Sequence, residues 1–163
     1  MSLLEGLLPR EANNDYRGSP VALYTFCALA AIMLGRSLVH FLKGDSGVHS
    51  IATIITFAGD PDPNQIIYMY SALWGTQQLI TVFVFAAVLL RYRNLLPLMY
   101  LLLILEICFR MTVGALHPMG EEYYARTPPG KLVNVPLFLV SAIMLFLSLR
   151  IPGARRSTDG DGA

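Results

Sequence analysis

The chain has little charge and little cysteine. Asp, Glu, Lys and Arg make up 14% of its 163 residues, whereas a soluble domain carries about 25%. The formal net charge of +1 gives no support for nucleic-acid binding. Cys27 and Cys108 form no CxxC motif, so a thioredoxin-like redox site is absent. There is no glycine-rich phosphate loop, and no serine has an evident Asp–His partner set, which disfavours a serine hydrolase.

What the chain does have is four long apolar runs. Each is close to the roughly 20 residues that a bilayer-spanning helix needs. The runs are too long and too weakly alternating for the strands of a membrane barrel. They predict an all-α fold, an integral membrane four-helix bundle with both termini cytoplasmic, located as a multi-pass protein in the inner (plasma) membrane. The predicted spans are Pro20–Phe41, Ile66–Leu90, Leu95–His117 and Leu132–Leu149.

The spans divide the chain into three parts. Residues 1–19 are predicted to be a cytoplasmic N-terminal tail, residues 20–151 the four-helix transmembrane domain, and residues 152–163 a disordered cytoplasmic tail. The polar segment before the first run favours a retained helix over a cleaved signal peptide.

Basic residues predict the orientation, because they accumulate in cytoplasmic loops. Seven lie on the side that would hold both termini, and three lie on the other. The first group is Arg10, Arg17, Arg91, Arg93, Arg150, Arg155 and Arg156; the second is Lys43, Arg126 and Lys131. The first and third loops should therefore face outward.

Local signals predict the helix ends. Ser19 precedes Pro20 as a helix cap, Asp62–Gln65 is typical of a capping box, and Asn94 can cap the third helix. Pro97 and Pro136 should lie in or near first turns, where a missing N–H matters least. Pro152-Gly153 should end the fourth helix.

Two further expectations concern the cysteines and the first loop. Cys27 and Cys108 would differ in height by roughly 9 Å at 1.5 Å per residue, too far for a disulfide, so we expect two free, buried thiols. The loop Gly44–Gln65 contains an apolar stretch, Ile51–Ala58, that is too short to span a bilayer. It could lie over the outer mouth of the bundle or be a floppy loop.

Ionisable residues inside the spans indicate a candidate site. Glu106 and Arg110 are one turn apart in the third run, and Arg36 and His40 are one turn apart in the first. Such groups are costly in a membrane unless they are paired or hydrated, so they predict a functional site. Helix heights place Gln77 near Glu106. The predicted site is a polar cluster in the outward half of the bundle, above an apolar inner half: Arg36, His40, Tyr70, Trp74, Gln77, Glu106, Arg110 and His117.

The cluster has a structural and a functional interpretation. Glu106 and Arg110 could be a packing salt bridge in the favoured i, i+4 order. Arg36 brings a second cation to one carboxylate, which favours an anionic or carbonyl-bearing ligand, or water. A metal site at His40, His117 and Glu106 is disfavoured, because the heights differ and two arginines are close. Tyr70 and Trp74 could be an interfacial belt or the wall of a site for a quinone head.

These features resemble the DoxX-like superfamily of small four-helix bacterial membrane proteins. The likeness spans about Tyr24 to Leu149 and rests on short motifs. They are Gly35-Arg36 to Lys43-Gly44, Ala72-Leu73-Trp74-Gly75-Thr76-Gln77, and Leu105-Glu106 followed by Arg110 and Gly114. The resemblance implies quinone-dependent oxidation, redox-stress complexes or chaperoning of membrane proteins.

The leading functional hypothesis is therefore binding of a small amphipathic ligand, quinone-like or lipid-like, in the outward-half polar pocket, with the protein acting as an accessory subunit. The alternative is an assembly or chaperone factor with no ligand, whose polar cluster is structural. A transporter has little support, since no repeat or broken helix is evident. No catalytic or metal residue is assigned, and an enzymatic role is left open. A quinone is the candidate cofactor, and the expected partners are the bilayer and a membrane protein or second copy.

Overall fold

A computed structural model describes residues 3–150, and within that range the chain is helical with no strand. The helices are α1 (Leu3–Leu7), α2 (Pro20–Leu42), α3 (Asn64–Arg91), α4 (Leu96–Leu116) and α5 (Pro129–Leu149), with single 3₁₀ turns at Arg93–Leu95 and Glu121–Tyr123. Over the described residues, the four helices from α2 to α5 are long and apolar enough to cross a membrane. The predicted helical class and the four long apolar helices are confirmed.

The bundle consists of two helical hairpins. α2 packs along α3 and α4 along α5, and the hairpins meet mainly where α2 contacts α5. α3 and α4 touch each other little, although only residues 92–95 separate them. We call the end that holds this short connection the turn end. The opposite end, which holds the long loops 43–63 and 117–128, is the loop end.

The hydrophobic core lies at the turn end. The ring of Phe26 packs edge-on against Phe85 and Tyr100, with centroid separations of 4.9 and 5.2 Å. Tyr100 is fully buried, and its hydroxyl donates to the carbonyl of Ala22 at 2.7 Å. The tyrosine thus satisfies its polar atom while filling the core with its ring. Leu96, Met99 and the end of α5 complete the cluster, so the predicted apolar half is confirmed as a packed core.

The predicted start of α2 is confirmed, whereas the predicted capping box of α3 is wrong, because the cap residue is Pro63 and makes no side-chain hydrogen bond to the helix. Ser19 Oγ accepts the Val21 N–H at 3.3 Å, and Pro20 is the first helical residue. The Asp62 carboxylate accepts the Asn64 N–H at 2.9 Å. Since α3 begins at Asn64, Gln65 is its second residue rather than its third.

Two other predictions about helix ends are wrong. Asn94 does not cap α4, because the 3₁₀ turn places Leu95 before the helix. Instead, the Asn94 side chain accepts the Asn13 N–H at 2.9 Å and donates to the Glu11 carbonyl at 2.7 Å. Pro136 lies inside α5, since that helix already begins at Pro129. The predictions for Pro152-Gly153 and the C-terminal tail lie outside the described residues.

The cysteine prediction is half right. Both thiols are free, but Cys27 is exposed and Cys108 is only partly buried. Cys27 lies on an exposed face of α2, a surface that would contact lipid in a bilayer. The helical rise per residue gives the difference in height between two residues, but it does not say which way a side chain faces.

The two long loops pair with each other over the loop end. Ile54 and Tyr124 form an isolated antiparallel bridge. The Ile55 N–H donates to the Tyr123 carbonyl at 3.1 Å, and the Ala125 N–H to the Thr53 carbonyl at 2.8 Å. Thr53, which is buried, also donates its hydroxyl to the Arg126 carbonyl. The stretch Ile51–Ala58 therefore belongs to an ordered structure, which we call the loop cap, and the floppy-loop interpretation is wrong.

Candidate functional site: a cavity between α3 and α4

A half-open cavity of about 350 Å³ lies where α3 and α4 separate. Its wall combines polar residues of α3 and α4 with apolar ones of α2, α3 and α4. The polar side and the tryptophan are Trp74, Gln77, Gln78, Thr81 and Glu106. The apolar side is Met33, Phe85, Leu102, Leu105 and Phe109.

The cavity begins where the core ends. Phe85 belongs to the buried core and also lines the cavity, so it forms the floor toward the turn end. Beyond Phe85, α3 contributes Thr81, Gln78 and Gln77 to the cavity wall. These polar side chains do not interdigitate with the leucines of α4. Leu102 and Phe109 are 42% and 66% exposed. The mouth therefore faces sideways between the helices, where lipid would lie.

Glu106 and Arg110 form a salt bridge beside the cavity. Arg110 Nη2 donates to Glu106 Oε1 at 2.6 Å, one helical turn away on α4. The other terminal nitrogen of Arg110 donates to Asn134 Oδ1 of α5 at 3.3 Å. The arginine thus satisfies the carboxylate and also joins the two helices of the second hairpin.

Arg36 reaches the same region from α2. Its guanidinium carbon lies 4.8 Å from the centre of the Trp74 ring, in a cation–π arrangement. The charges of Arg110 and Glu106 both act on it. Its Nε is buried, and no described residue accepts its hydrogen bond. Among the described residues, the Glu106 carboxylate forms its ion pair with Arg110 and not with Arg36.

His40 also packs against Trp74, with the rings edge to face and the centroids 5.0 Å apart. The imidazole is 1% exposed and lies 2.7 Å from the Ser46 carbonyl through Nδ1. Because a carbonyl only accepts, Nδ1 must carry a proton. In the neutral ring Nε2 is then an acceptor, and it is buried without a partner among the described residues. The Ser71 hydroxyl also donates to the Ser46 carbonyl, at 2.8 Å.

Close helix packing allows His40 to lie here. A Cβ added at Gly75 of α3 would be 2.6 Å from the Cβ of His40 and 3.0 Å from its backbone carbon. Glycine is therefore required where α2 and α3 cross. The same glycine lies next to Trp74 in sequence, so the crossing brings the indole into contact with Arg36 and His40.

Of the predicted residues, Trp74, Gln77 and Glu106 line the cavity. Arg36 and His40 contact Trp74, and Arg110 contacts Glu106, but these three do not line it. Tyr70 and His117 do not line it either. Tyr70 is 64% exposed. His117 is an exposed residue at the C-terminal end of α4, where its N–H donates to the Val113 carbonyl. Its backbone has left the helix, so the sequence offset that placed it on the face of Glu106 no longer applies.

Sequence reasoning missed two polar residues, Gln78 in the cavity wall and Asn134 beside the salt bridge. Gln78, which is 6% exposed, accepts the Ser37 hydroxyl of α2 at 3.4 Å. Asn134 accepts from Arg110, as described above. An asparagine inside the very apolar fourth run was the available signal for Asn134. Gln78 gave no separate signal, because its neighbour Gln77 is the same residue type at nearly the same height on the helix.

One titratable group of the loop cap has a shifted pKa. Burial of Asp45 opposes its ionisation, but the N–H groups of Gly47 and His49 and the ammonium of Lys43 bind the carboxylate. These contacts outweigh burial and hold the Asp45 pKa below its ordinary value of 3.8. The ionised carboxylate therefore stabilises the turn that follows α2.

Comparison with protein-family models, with curated proteins and with solved structures gives no match. The resemblance to the DoxX-like superfamily stays a prediction, and the candidate function rests on the geometry of the cavity.

Proposed function

We propose that this protein binds a small amphipathic ligand, quinone-like or lipid-like, in the cavity between α3 and α4 while α2 to α5 span the membrane. The observation that carries the proposal is Arg36. Its Nε is buried without a partner beside Trp74. A buried charged group is costly unless it is paired or solvated, so a site built around it favours a ligand that supplies the missing acceptor.

The chemistry of the wall agrees with an amphipathic ligand. Ligand sites are concave and mostly apolar, with a few convergent polar groups. Here, Met33, Leu102 and Leu105 supply apolar surface. Gln77, Gln78 and Glu106 supply polar groups, and Arg36 contacts Trp74 of the wall. A head group would lie near Trp74, and a tail would extend toward Phe85 or out between the helices.

A second candidate is an assembly or chaperone factor that binds no ligand. The observation that favours it is the network of Glu106, Arg110 and Asn134, which is satisfied internally and joins α4 to α5. Polar residues that bond across helices are a common device for specifying packing in membranes. On this proposal Arg36 would face water or a partner protein.

Native mass spectrometry of the purified full chain, released from nanodiscs, tests the proposal. We expect the wild type to retain a co-extracted small molecule. Arg36→Gln should lose it while remaining folded, because glutamine keeps hydrogen bonding but removes the charge. Arg91→Gln, which removes an exposed arginine at the turn end, is the matched control and should retain it. A wild type that never retains a small molecule would favour the assembly role.

We also propose that both termini are cytoplasmic, that the membrane is the inner (plasma) membrane, and that the chain is DoxX-like. The support for the orientation is the excess of basic residues on the side of the turn end. Single cysteines at Arg91 and Glu121, both exposed, in a background with Cys27 and Cys108 replaced by alanine, provide the test. An impermeant thiol reagent should label Glu121→Cys in intact cells and Arg91→Cys only after lysis. The reverse labelling would overturn the orientation.

A further inference from the structure

We infer that the ligand of this cavity is an uncharged, single-tailed amphiphile whose head carries a hydroxyl group, which donates to Glu106 and accepts from the glutamine amides of α3. The inference rests on the proposed function and specifies its ligand class. All the residues that would contact the head group line the cavity. Three features lead to it: the unused hydrogen-bonding capacity of the wall, the charge of the wall, and the order of polar and apolar residues along it.

The wall has hydrogen-bonding groups that the described residues leave unused. Glu106 accepts from Arg110 at Oε1 alone among these residues, and 33% of its side chain is exposed. Gln77 is an exposed residue of the wall. Gln78 uses its amide oxygen for the Ser37 hydroxyl at 3.4 Å, which leaves its NH₂ group without a described partner. A carboxylate only accepts and an amide NH₂ only donates, so a hydroxyl, which does both, satisfies the two together.

The charge of the wall favours an uncharged head group. Glu106 is the one charged side chain among the described residues that line the cavity. Arg110, which does not line it, neutralises this carboxylate at 2.6 Å. An anionic head would lie against the carboxylate with no cation of the wall to bind it, and a cationic head would compete with Arg110. A quinone or ketone carbonyl accepts but does not donate, so it would leave the second oxygen of Glu106 unsatisfied.

The order of residues along the two helices separates a place for the head from a place for the tail. On α3, Phe85 lies seven residues beyond Gln78 toward the turn end, or about 10 Å at 1.5 Å per residue. On α4, Leu102 lies four residues from Glu106 in the same direction, or about 6 Å. The apolar part of the cavity therefore extends toward the turn end. Its volume of about 350 Å³ is near the lower limit of ligand sites, about 300–1,000 Å³, which favours one tail over two.

The chain offers a direct probe, because Trp74 lines the cavity and is the only tryptophan. The full chain is placed in phosphatidylcholine nanodiscs, and Trp74 emission is recorded against the mole fraction of each added compound in the bilayer. The compounds are oleyl alcohol, oleyl methyl ether, oleate, monooleoylglycerol and a short-chain ubiquinone analogue. We expect saturable binding of oleyl alcohol and about tenfold or weaker binding of the ether, which keeps the acceptor oxygen but loses the donor to a charged group.

The other compounds decide between ligand classes. Tighter binding of monooleoylglycerol than of oleyl alcohol would assign the hydroxyl to a glyceride, which also supports the inference. Equal binding of oleyl alcohol and its ether would overturn the inference and keep the proposed function. Tighter binding of oleate or of the quinone analogue than of either hydroxyl compound would do the same. No saturable binding by any of the five compounds would overturn both.

Variants connect the preference for the alcohol to the wall. Glu106→Gln introduces an amide that also donates, so the preference for oleyl alcohol over its ether should fall toward equality. Gln77→Leu removes a donor that both compounds use and should weaken both while keeping the preference. Gln65→Leu, the same substitution at an exposed residue of α3 that does not line the cavity, is the matched control and should change neither. An unchanged preference in folded Glu106→Gln would overturn the inference. If Glu106→Gln does not fold, the comparison of the alcohol with its ether on the wild type still decides.

Discussion

The two halves of the bundle are built from the same four helices but are packed differently. Toward the turn end, Phe26, Phe85 and Tyr100 interlock, and the one polar atom among them, the Tyr100 hydroxyl, is satisfied. Toward the loop end, α3 and α4 separate around a cavity, and buried nitrogens of Arg36 and His40 have no partner among the described residues. Interiors are normally close-packed and their polar groups satisfied, so the second half departs from both rules at one place.

This difference indicates that one half of the bundle stabilises the fold and that the other half contains the candidate binding site. The packed half keeps the two hairpins together, and the loop cap closes the other end. Between them, α3 and α4 can remain apart without loss of the fold. Functional sites commonly retain such locally unfavourable arrangements, which the rest of the protein stabilises. Substitutions in the two halves should therefore have different consequences for stability and for ligand binding.

The largest expected effect is in the packed half. Phe26→Ala removes a fully buried ring that contacts two other aromatic residues, and we expect a loss of about 3–5 kcal/mol in the free energy of unfolding. Phe83→Ala, at a position that is 71% exposed, is the control and should change it by less than about 0.5 kcal/mol. Denaturation in mixed micelles measures both. Similar losses for the two variants would mean that the packed core has been misplaced.

The next effect is at the crossing of α2 and α3. Gly75→Ala places a methyl group 2.6 Å from the His40 Cβ, and overpacking of this kind costs about 1–3 kcal/mol. Gly35→Ala is the matched control, because a Cβ there meets nothing within 4 Å, and alanine is the better helix former. Unfolding temperatures should fall for the first and hold or rise for the second. An undisturbed Gly75→Ala protein would show that the helices do not approach so closely.

A smaller effect concerns the salt bridge beside the cavity. Glu106→Gln and Arg110→Gln should be coupled, because each removes the partner of the other, by about 0.5–2 kcal/mol in a double-mutant cycle. Glu106→Gln combined with Arg91→Gln should be additive, since Arg91 lies at the turn end. Additivity in the first cycle would exclude the pairing.

The smallest expected effect is pH-dependent and lies in the loop cap. The folded-state pKa of Asp45 is lowered below 3.8, so its contribution to stability is present above that pH and is lost as the pH falls through the depressed pKa. The difference in unfolding temperature between wild type and Asp45→Asn should therefore be larger at pH 6 than at pH 3. Asp60→Asn, which alters an exposed aspartate of the same loop, should show less change. A constant difference for Asp45→Asn would contradict the assigned hydrogen bonds.

The sequence by itself determined the helical class, the number of long apolar helices and most of their ends. Those properties depend on composition and on neighbours a few residues apart, such as Ser19 before Pro20 or Asp62 before Asn64. Sequence also assigned Arg36, Trp74, Gln77, Glu106 and Arg110 to one polar cluster in the same half of the bundle, because helix rise converts residue number into height. The fourth long helix begins at Pro129, before its apolar run starts. The prediction that Pro136 lies in or near the first turn therefore failed.

Only the tertiary structure decided which helix faces meet. Height does not specify rotation, so the sequence could not show that Cys27 and Tyr70 point outward or that Gln78 and Asn134 point inward. Neither could it show that α3 and α4, neighbours along the chain, would separate while α2 and α5 pack together. That choice depends on the fit of many side chains at once, above all on the aromatic core and the Gly75 crossing. The cavity exists because those contacts fix the two hairpins at the turn end and leave the helices apart beyond it.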